Sequence, residues 1–163
     1  MNNDIDDCEY RIITIDSSFS TYLDNTTQNF YINLDEPLRN VNKINVISIL
    51  INLSNTSSLN VSLDPIYINF NDYNRLIAKK DNNNIYYFDS IIVENSITTG
   101  NTTIKNDYNT NDSIYYLNPI EPQLKRFNIR LYDKNNSLIL KNNLNRFVMK
   151  IGVYYNNRKT TRI

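Results

Sequence analysis

Short runs rich in Ile, Tyr, Phe and Val, separated by clusters of Asn, Asp and Ser, constrain this chain more than any other feature of it. Branched and aromatic residues suit a pleated, half-buried surface, and runs of this length are strands rather than helices. They read EYRIITI (9–15), QNFYINL (28–34), KINVISILINL (43–53), IYINF (66–70), IYYFDSIIV (85–93), SIYYL (113–117), KRFNIRLY (125–132), SLIL (137–140) and RFVMKIGVYY (146–155). Three of them alternate with period two. Phe30, Ile32 and Leu34 oppose Asn29, Tyr31 and Asn33; Phe127, Ile129 and Leu131 oppose Arg126, Asn128 and Arg130; Phe147, Met149, Ile151 and Val153 oppose Arg146, Val148 and Lys150. Each is a strand with one wet face. VISILI (46–51) is apolar on both faces apart from Ser48, the pattern of a central strand covered twice.

Helix signals are weak. The chain has a single Ala, and Ile, Tyr, Asn and Thr stand where a helix prefers Ala, Leu, Glu or Lys. DYNRLIAKK (72–80) is the best candidate for one or two helical turns. The chain has only two Gly, so the 31 Asn can do the turn work that Gly does elsewhere, since Asn and Asp tolerate the left-handed conformation and bond their own backbone. KRFNIRLYDKNNSLIL reads as a β-hairpin turning at Lys134 to Asn136, with Asn135 and Asn136 best able to take positive φ. Strands at this spacing predict an all-β, antiparallel β-sandwich or jelly roll of about eight strands. No βα alternation and no fixed-period repeat is present.

Composition narrows the chemistry. Zero His removes the commonest general base and metal ligand, and a single Cys makes neither a thiolate zinc site nor an internal disulfide. Cys8 therefore reads as an ordinary reduced thiol. Asp4, Asp6 and Asp7, and Asp107 with Asp112, lack the ligand spacing and Gly of a calcium loop and read as solvated turn residues. Paired carboxylates for glycoside hydrolysis have only Glu9, Glu36, Glu94 and Glu121 among the glutamates to draw on, and there is no Trp platform. The sequence assigns no catalytic, cofactor or metal residue, and the expectation is a protein that is not an enzyme and uses no cofactor. Chance among so many Asn explains most of the seven Asn-x-Ser/Thr acceptors (Asn25, Asn52, Asn55, Asn60, Asn101, Asn111, Asn135), which read as loops before glycosylation sites.

With 17 basic and 17 acidic side chains the net charge is zero, which argues against nucleic acid as the main partner. Met1 to Tyr10 is polar and acidic, unlike a secretory signal, and no run approaches the roughly 20 apolar residues of a spanning helix. The expectation is a soluble protein made in the cytoplasm. Charge is nevertheless unevenly placed. Residues 1–8 carry Asp4, Asp6 and Asp7, and residues 156–163 carry Arg158, Lys159 and Arg162. These ends read either as frayed termini or as oppositely charged arms that reach neighbouring copies. Lys125, Arg126 and Arg130 occupy the polar face of one strand, and Arg146 with Lys150 that of another. If the two strands are neighbours, the five form a stripe: a solvated face, or a contact for acidic subunit loops, DNA or lipid. Tyr31, Tyr115, Tyr116, Tyr154 and Tyr155 are candidates to cover sheet edges or subunit contacts.

Three segments carry a resemblance. EPLRNVNKINVISILINLSNTSSLNVS (36–62) resembles a block in short virion proteins of nucleocytoplasmic large DNA viruses, where a P-L-x-N-V-x-x-I-x-L run leads into a strand and a polar loop. EPQLKRFNIRLYDKNNSLILKNNLNRFVMKIGVYY (121–155) is similar to their closing block, L-x-x-F-x-I-x-L-x-D followed by a turn and a last amphipathic strand. YRIITIDSS (10–18) looks like their first strand. Where related sequences often have Asp-x-x-Gly in the final hairpin, this chain has Asp133, Lys134, Asn135 and Asn136. The resemblance implies a single jelly-roll capsid component, a pentameric penton (vertex) protein or a minor capsid protein beneath the major lattice. The expected organisation is an N-terminal arm (1–8), a jelly-roll domain (9–155) and a basic tail (156–163). The expected partners are other capsid proteins, including further copies of this chain as a homopentamer, with no small-molecule substrate and with nucleic acid or membrane contact secondary. The expected location is the virion. The alternative is a carbohydrate- or receptor-binding β-sandwich, such as a fibre head or adhesin.

Overall fold

Alternation of apolar and polar residues becomes a set of antiparallel strands in the computed structural model, which describes residues 8–54, 65–80, 82–92, 102–106 and 114–156. In chain order they are β1 (Glu9–Asp16), β2 (Thr21–Tyr22), β3 (Asn29–Leu53), β4 (Pro65–Phe70), β5 (Leu76–Lys80), β6 (Asn83–Tyr87), β7 (Asp89–Ile92), β8 (Thr102–Asn106), β9 (Ile114–Tyr132) and β10 (Leu144–Tyr155). Single 3-10 turns occupy Ser17–Phe19 and Lys141–Asn143, and no α-helix occurs among the described residues. The protein is all-β, built on one curled antiparallel sheet. Its order is β1-β10-β3-β9-β4-β7, with β2 and β8 also paired to β3, and β5 with β6 forms a separate two-stranded ribbon.

β3 organises the sheet. One of its edges carries β9 along residues 29–45 and β8 along 48–52; the other carries β2 at 30–31 and β10 along 43–53. Its 25 residues would span roughly 80 Å if straight, several times the usual strand length. Instead it bends where the register with β9 shifts, between Asn33 and Leu38 and again between Val41 and Lys43. Exposed Pro37, which has no ladder N–H to give, lies in the first of these irregularities, and Asn40 enters the second with φ 50°. The bending returns the end of the sheet over its beginning. Phe30, at the start of β3, lies 6.0 Å from Phe147 of β10, although Phe147 pairs with Ile51 at the other end of β3.

The inward residues make one core. Ile15, Phe30, Ile44, Val46, Ile49, Ile51, Ile68, Phe70, Phe88, Phe127, Ile129, Phe147, Met149, Ile151 and Val153 are among its fully buried members. Phe70 sits at its aromatic centre, 5.0 Å from Phe88 and 5.3 Å from Phe127. All three alternating runs keep the inward faces read from sequence, and 46–51 lies between strands on both edges with Val46, Ile47, Ile49 and Ile51 buried.

Other expectations change. Residues 72–80 are no helix: Asn71 and Asp72 form a turn, and Leu76–Lys80 is β5, which pairs antiparallel with β6 in a ribbon that helix propensity does not anticipate. Runs 28–34 and 43–53 are one strand, as are 113–117 and 125–132, because bulges carry the ladder across their polar interruptions. Run 85–93 divides at Phe88, whose N–H bonds Ile68 instead. The 125–140 hairpin turns at Lys134 to Asn136, with Asn136 at φ 60° while Asn135 stays out of the left-handed region, and Asp133 Oδ1 accepts from the N–H groups of Asn135 and Ser137. Its second arm makes only isolated bridges.

Candidate interaction surface

The outward face follows from the same period of two. Register aligns Tyr10 of β1 with Tyr154 of β10, Tyr154 with Lys43 of β3, and Lys43 with Tyr116 of β9, so four strands present one continuous row. The Tyr10 and Tyr154 rings are 4.7 Å apart. Lys43 Nζ stands 3.7 Å above the Tyr154 ring and 5.9 Å from that of Tyr116, a cation held between two aromatic quadrupoles. The neighbouring row runs Ile12, Gly152, Asn45, Ile114. Gly152 belongs there for a steric reason: a β-carbon at 152 would collide with the Tyr10 ring, which lies flat over the glycine. Partial burial, then the adjacent Tyr154, raises the Tyr10 hydroxyl above its ordinary pKa.

This row stays largely open to solvent. Tyr116 is 69% exposed, Ile12 in the neighbouring row 52% and Tyr10 47%. Isolated exposed apolar residues are normal, but here Tyr10 and Ile12 stand at one end of a register line and Tyr116 at the other, joined by half-buried Tyr154 and Lys43. Of the tyrosines singled out in the sequence, Tyr116 and half-buried Tyr154 belong to this row. Tyr155 is buried beneath β1, Tyr115 packs against Tyr73 and Phe88, and Tyr31 lies under the Arg126 guanidinium. Tyr10 was not singled out, although its period-two relation to Ile12 was its signal.

The basic stripe does not form. β3 separates β9 from β10, and the register sets Arg126 and Arg130 beside Asn33 and Asn29 but Arg146 and Lys150 beside Asn52 and Ser48, at the opposite end of β3. Three of the five cations are engaged within the fold. Arg130 pairs with Asp72 and bonds Asn69 Oδ1 at 3.1 Å; Arg126 stands 5.0 Å over Tyr31; Arg146 grips Asp16 with Nε at 3.2 Å and Nη2 at 2.5 Å. Lys125 is exposed and Lys150 half-buried. The arm residues Asp4, Asp6, Asp7, Arg158, Lys159 and Arg162 lie outside the described residues, as do Asp107, Asp112 and Glu94. Cys8 is half-buried, its Sγ accepting from the Asn42 amide at 3.2 Å.

A polar groove of about 270 Å³ opens where β9 meets the 71–73 turn, lined by Tyr73, Glu121, Gln123, Lys125 and Arg126 among others. Asn71 builds its wall. Its backbone N–H bonds the Asn128 carbonyl, and its side-chain amide accepts from the Asn128 N–H at 2.6 Å and donates to the Arg126 carbonyl at 3.1 Å, adding a rung to the ladder. Burial, with Glu121 also contributing, pushes the Tyr73 hydroxyl up to about 12. Among the described residues no three His, Cys, Asp or Glu side chains gather as a metal site, and no helix is long and apolar enough to cross a membrane. No protein-family model matches this sequence, and no curated protein matches it.

Proposed function

We propose that this chain is a structural, non-enzymatic component of an icosahedral virion, a single jelly-roll penton or minor capsid protein that acts by packing against other capsid proteins and further copies of itself. The observation that carries this reading is the row Tyr10, Tyr154, Lys43 and Tyr116, with Ile12 beside Tyr10, because an outer sheet face with open rings and an aliphatic group along one register line is suited to burial against protein. The all-β fold, the curled sheet around one core, and the resemblance of residues 10–18, 36–62 and 121–155 agree with it. A rigid sheet holds the shape while Asn-rich turns and charged ends meet neighbours.

The test is quantitative proteomics of purified particles together with native mass spectrometry of the recombinant chain. The expected result is a fixed copy number per particle, reduced when Tyr116→Ala or Ile12→Ser is supplied in place of the parent chain. Absence from particles overturns the reading. Deleting residues 1–8 or 156–163 tests the arms as clamps, and unchanged incorporation removes them from the mechanism.

A carbohydrate- or receptor-binding module is the second reading, favoured by one observation: the groove beside Gln123 and Lys125 offers amide, carboxylate and ammonium groups of the kind that bond hydroxyls. Retention of a soluble glycan by the free monomer, abolished by Gln123→Ala, distinguishes it.

A further inference from the structure

β1 is paired on one side only among the described residues. Its ladder with β10 runs without a bulge from Glu9 opposite Tyr155 to Asp16 opposite Val148, giving an eight-residue edge, whereas the other end of the sheet is the four-residue β7. Native sheets blunt long edges with proline, lysine, bulges or very short strands, because unpaired backbone groups template another strand. EYRIITID has no proline, lysine or bulge; its edge charges are Glu9 and Arg11, which share the face of Ile13 and Ile15, with the Arg11 guanidinium 5.7 Å from the Tyr155 ring, so a second strand docks here only where it pairs both. Its first four residues, Glu9, Tyr10, Arg11 and Ile12, are exposed on both faces. Tyr10 and Ile12 extend the open aromatic row to this edge, and Glu9 and Arg11 stand on the opposite face.

We infer that β1 pairs antiparallel with β1 of a second copy of this chain, across a two-fold axis at Tyr10. The occupant follows from the charges. In this register Glu9 of each copy lies directly opposite Arg11 of the other, so the symmetry makes two cross-strand ion pairs, while Tyr10 meets its own counterpart and Ile12 meets Cys8. A two-fold centred on Ile12 would instead set Arg11 against Ile13 and Glu9 against Ile15, with no charge compensated. The isologous pairing closes at two copies and joins two sheets into one, with the aromatic rows brought edge to edge. It rests on the reading of the outer face as a packing surface and names the first partner that face meets.

The single native cysteine makes the register testable in the full-length chain. In a Cys8→Ser background, Tyr10→Cys places two thiols at directly opposed positions, whose Cα separation of about 4.5–5.5 Å lies within disulfide range. Oxidation is expected to give a reducible covalent dimer from that variant and not from Thr14→Cys. By sedimentation equilibrium, Arg11→Glu is expected to weaken dimerisation about tenfold or more by opposing like charges, and Glu9→Lys combined with Arg11→Glu to restore it. Circular dichroism melting confirms that each variant is folded. A parent chain that is monomeric at every concentration, or equal cross-linking at 10 and 14, overturns the pairing. Presence in particles without β1 cross-linking sinks the pairing alone; a cross-linked dimer absent from particles sinks the virion reading alone.

Discussion

Asp16 ends β1 with a nearly buried carboxylate whose partners come from two directions: the Arg146 guanidinium, and the Ser18 N–H at 2.9 Å, where it caps the 3-10 turn. The Arg146 hydrogen bond is the largest influence on its pKa and lowers it; burial opposes, and Ser18 adds to the lowering. Beside it the Ser17 hydroxyl accepts from the Phe147 N–H at 2.9 Å, so this corner fastens β1 to the start of β10. Asp16→Ala is expected to cost about 1–3 kcal/mol in urea unfolding, because a capping acceptor is lost and a turn N–H is left without a partner. The sequence shows Asp16 at a strand end and Arg146 on a polar face. That they meet is invisible there, since 130 positions separate them.

Among the elements, the link between β4 and β9 shows best what local chemistry does. Asn71 and Asp72, at φ 48° and 59°, are the central residues of a tight turn closed by the Tyr73 N–H on the Phe70 carbonyl, and both stand in the left-handed region that primed turns require. Asn71 then spends its amide on the β9 backbone. Two substitutions separate these roles. Asn71→Gly keeps the backbone and loses the rung, at about 1–2 kcal/mol; Asn71→Ala adds a left-handed penalty of about 1 kcal/mol more. Chemical denaturation of both variants measures the difference. Every positive-φ residue other than glycine among the described residues is Asn or Asp, so the turn chemistry read from the Asn excess is real. The element boundaries were less legible. Residues 34–37 look like the end of a strand because Asp35, Glu36 and Pro37 are poor strand formers, yet pairing resumes at Leu38. Ladder hydrogen bonds from a neighbour carry β3 and β9 through residues whose own preferences would stop them.

For the molecule as a whole, the described groups whose titration folding displaces are carboxylates, tyrosines and one arginine. Asp16 and Asp24 are held low, Asp24 chiefly by the hydroxyls and N–H groups of Thr27 and Thr26. A carboxylate depressed by folding contributes stability above its unfolded pKa of about 3.9 and loses it as pH falls below that value. Tyr73 and Tyr87 are raised to about 12, both mainly by burial. Their contribution is complete below the unfolded tyrosine pKa of about 10 and is lost as pH rises from there through about 12. With no His in the chain, the melting temperature is expected to be flat from about pH 5 to 8 and to fall on both sides. A titration step near pH 6.5 would contradict this account. The same global view explains the missing basic stripe: five cations on two polar faces became two separate groups once β3 came between them.

In the amino-acid sequence alone the inward faces of the three alternating runs, the use of Asn and Asp at turns and the dominance of strands were already legible, because period two, β-branched content and Asn-rich clusters act over a few residues. Strand order and the bends of β3 and β9 came only with the tertiary structure, and with them the meetings of Asp16 with Arg146, Asp72 with Arg130, and Tyr154 with Tyr10 on one side and Lys43 on the other. Such meetings depend on register between segments far apart in the chain. Nothing within one short run encodes its neighbour; the shared core and the closing of the curled sheet select it.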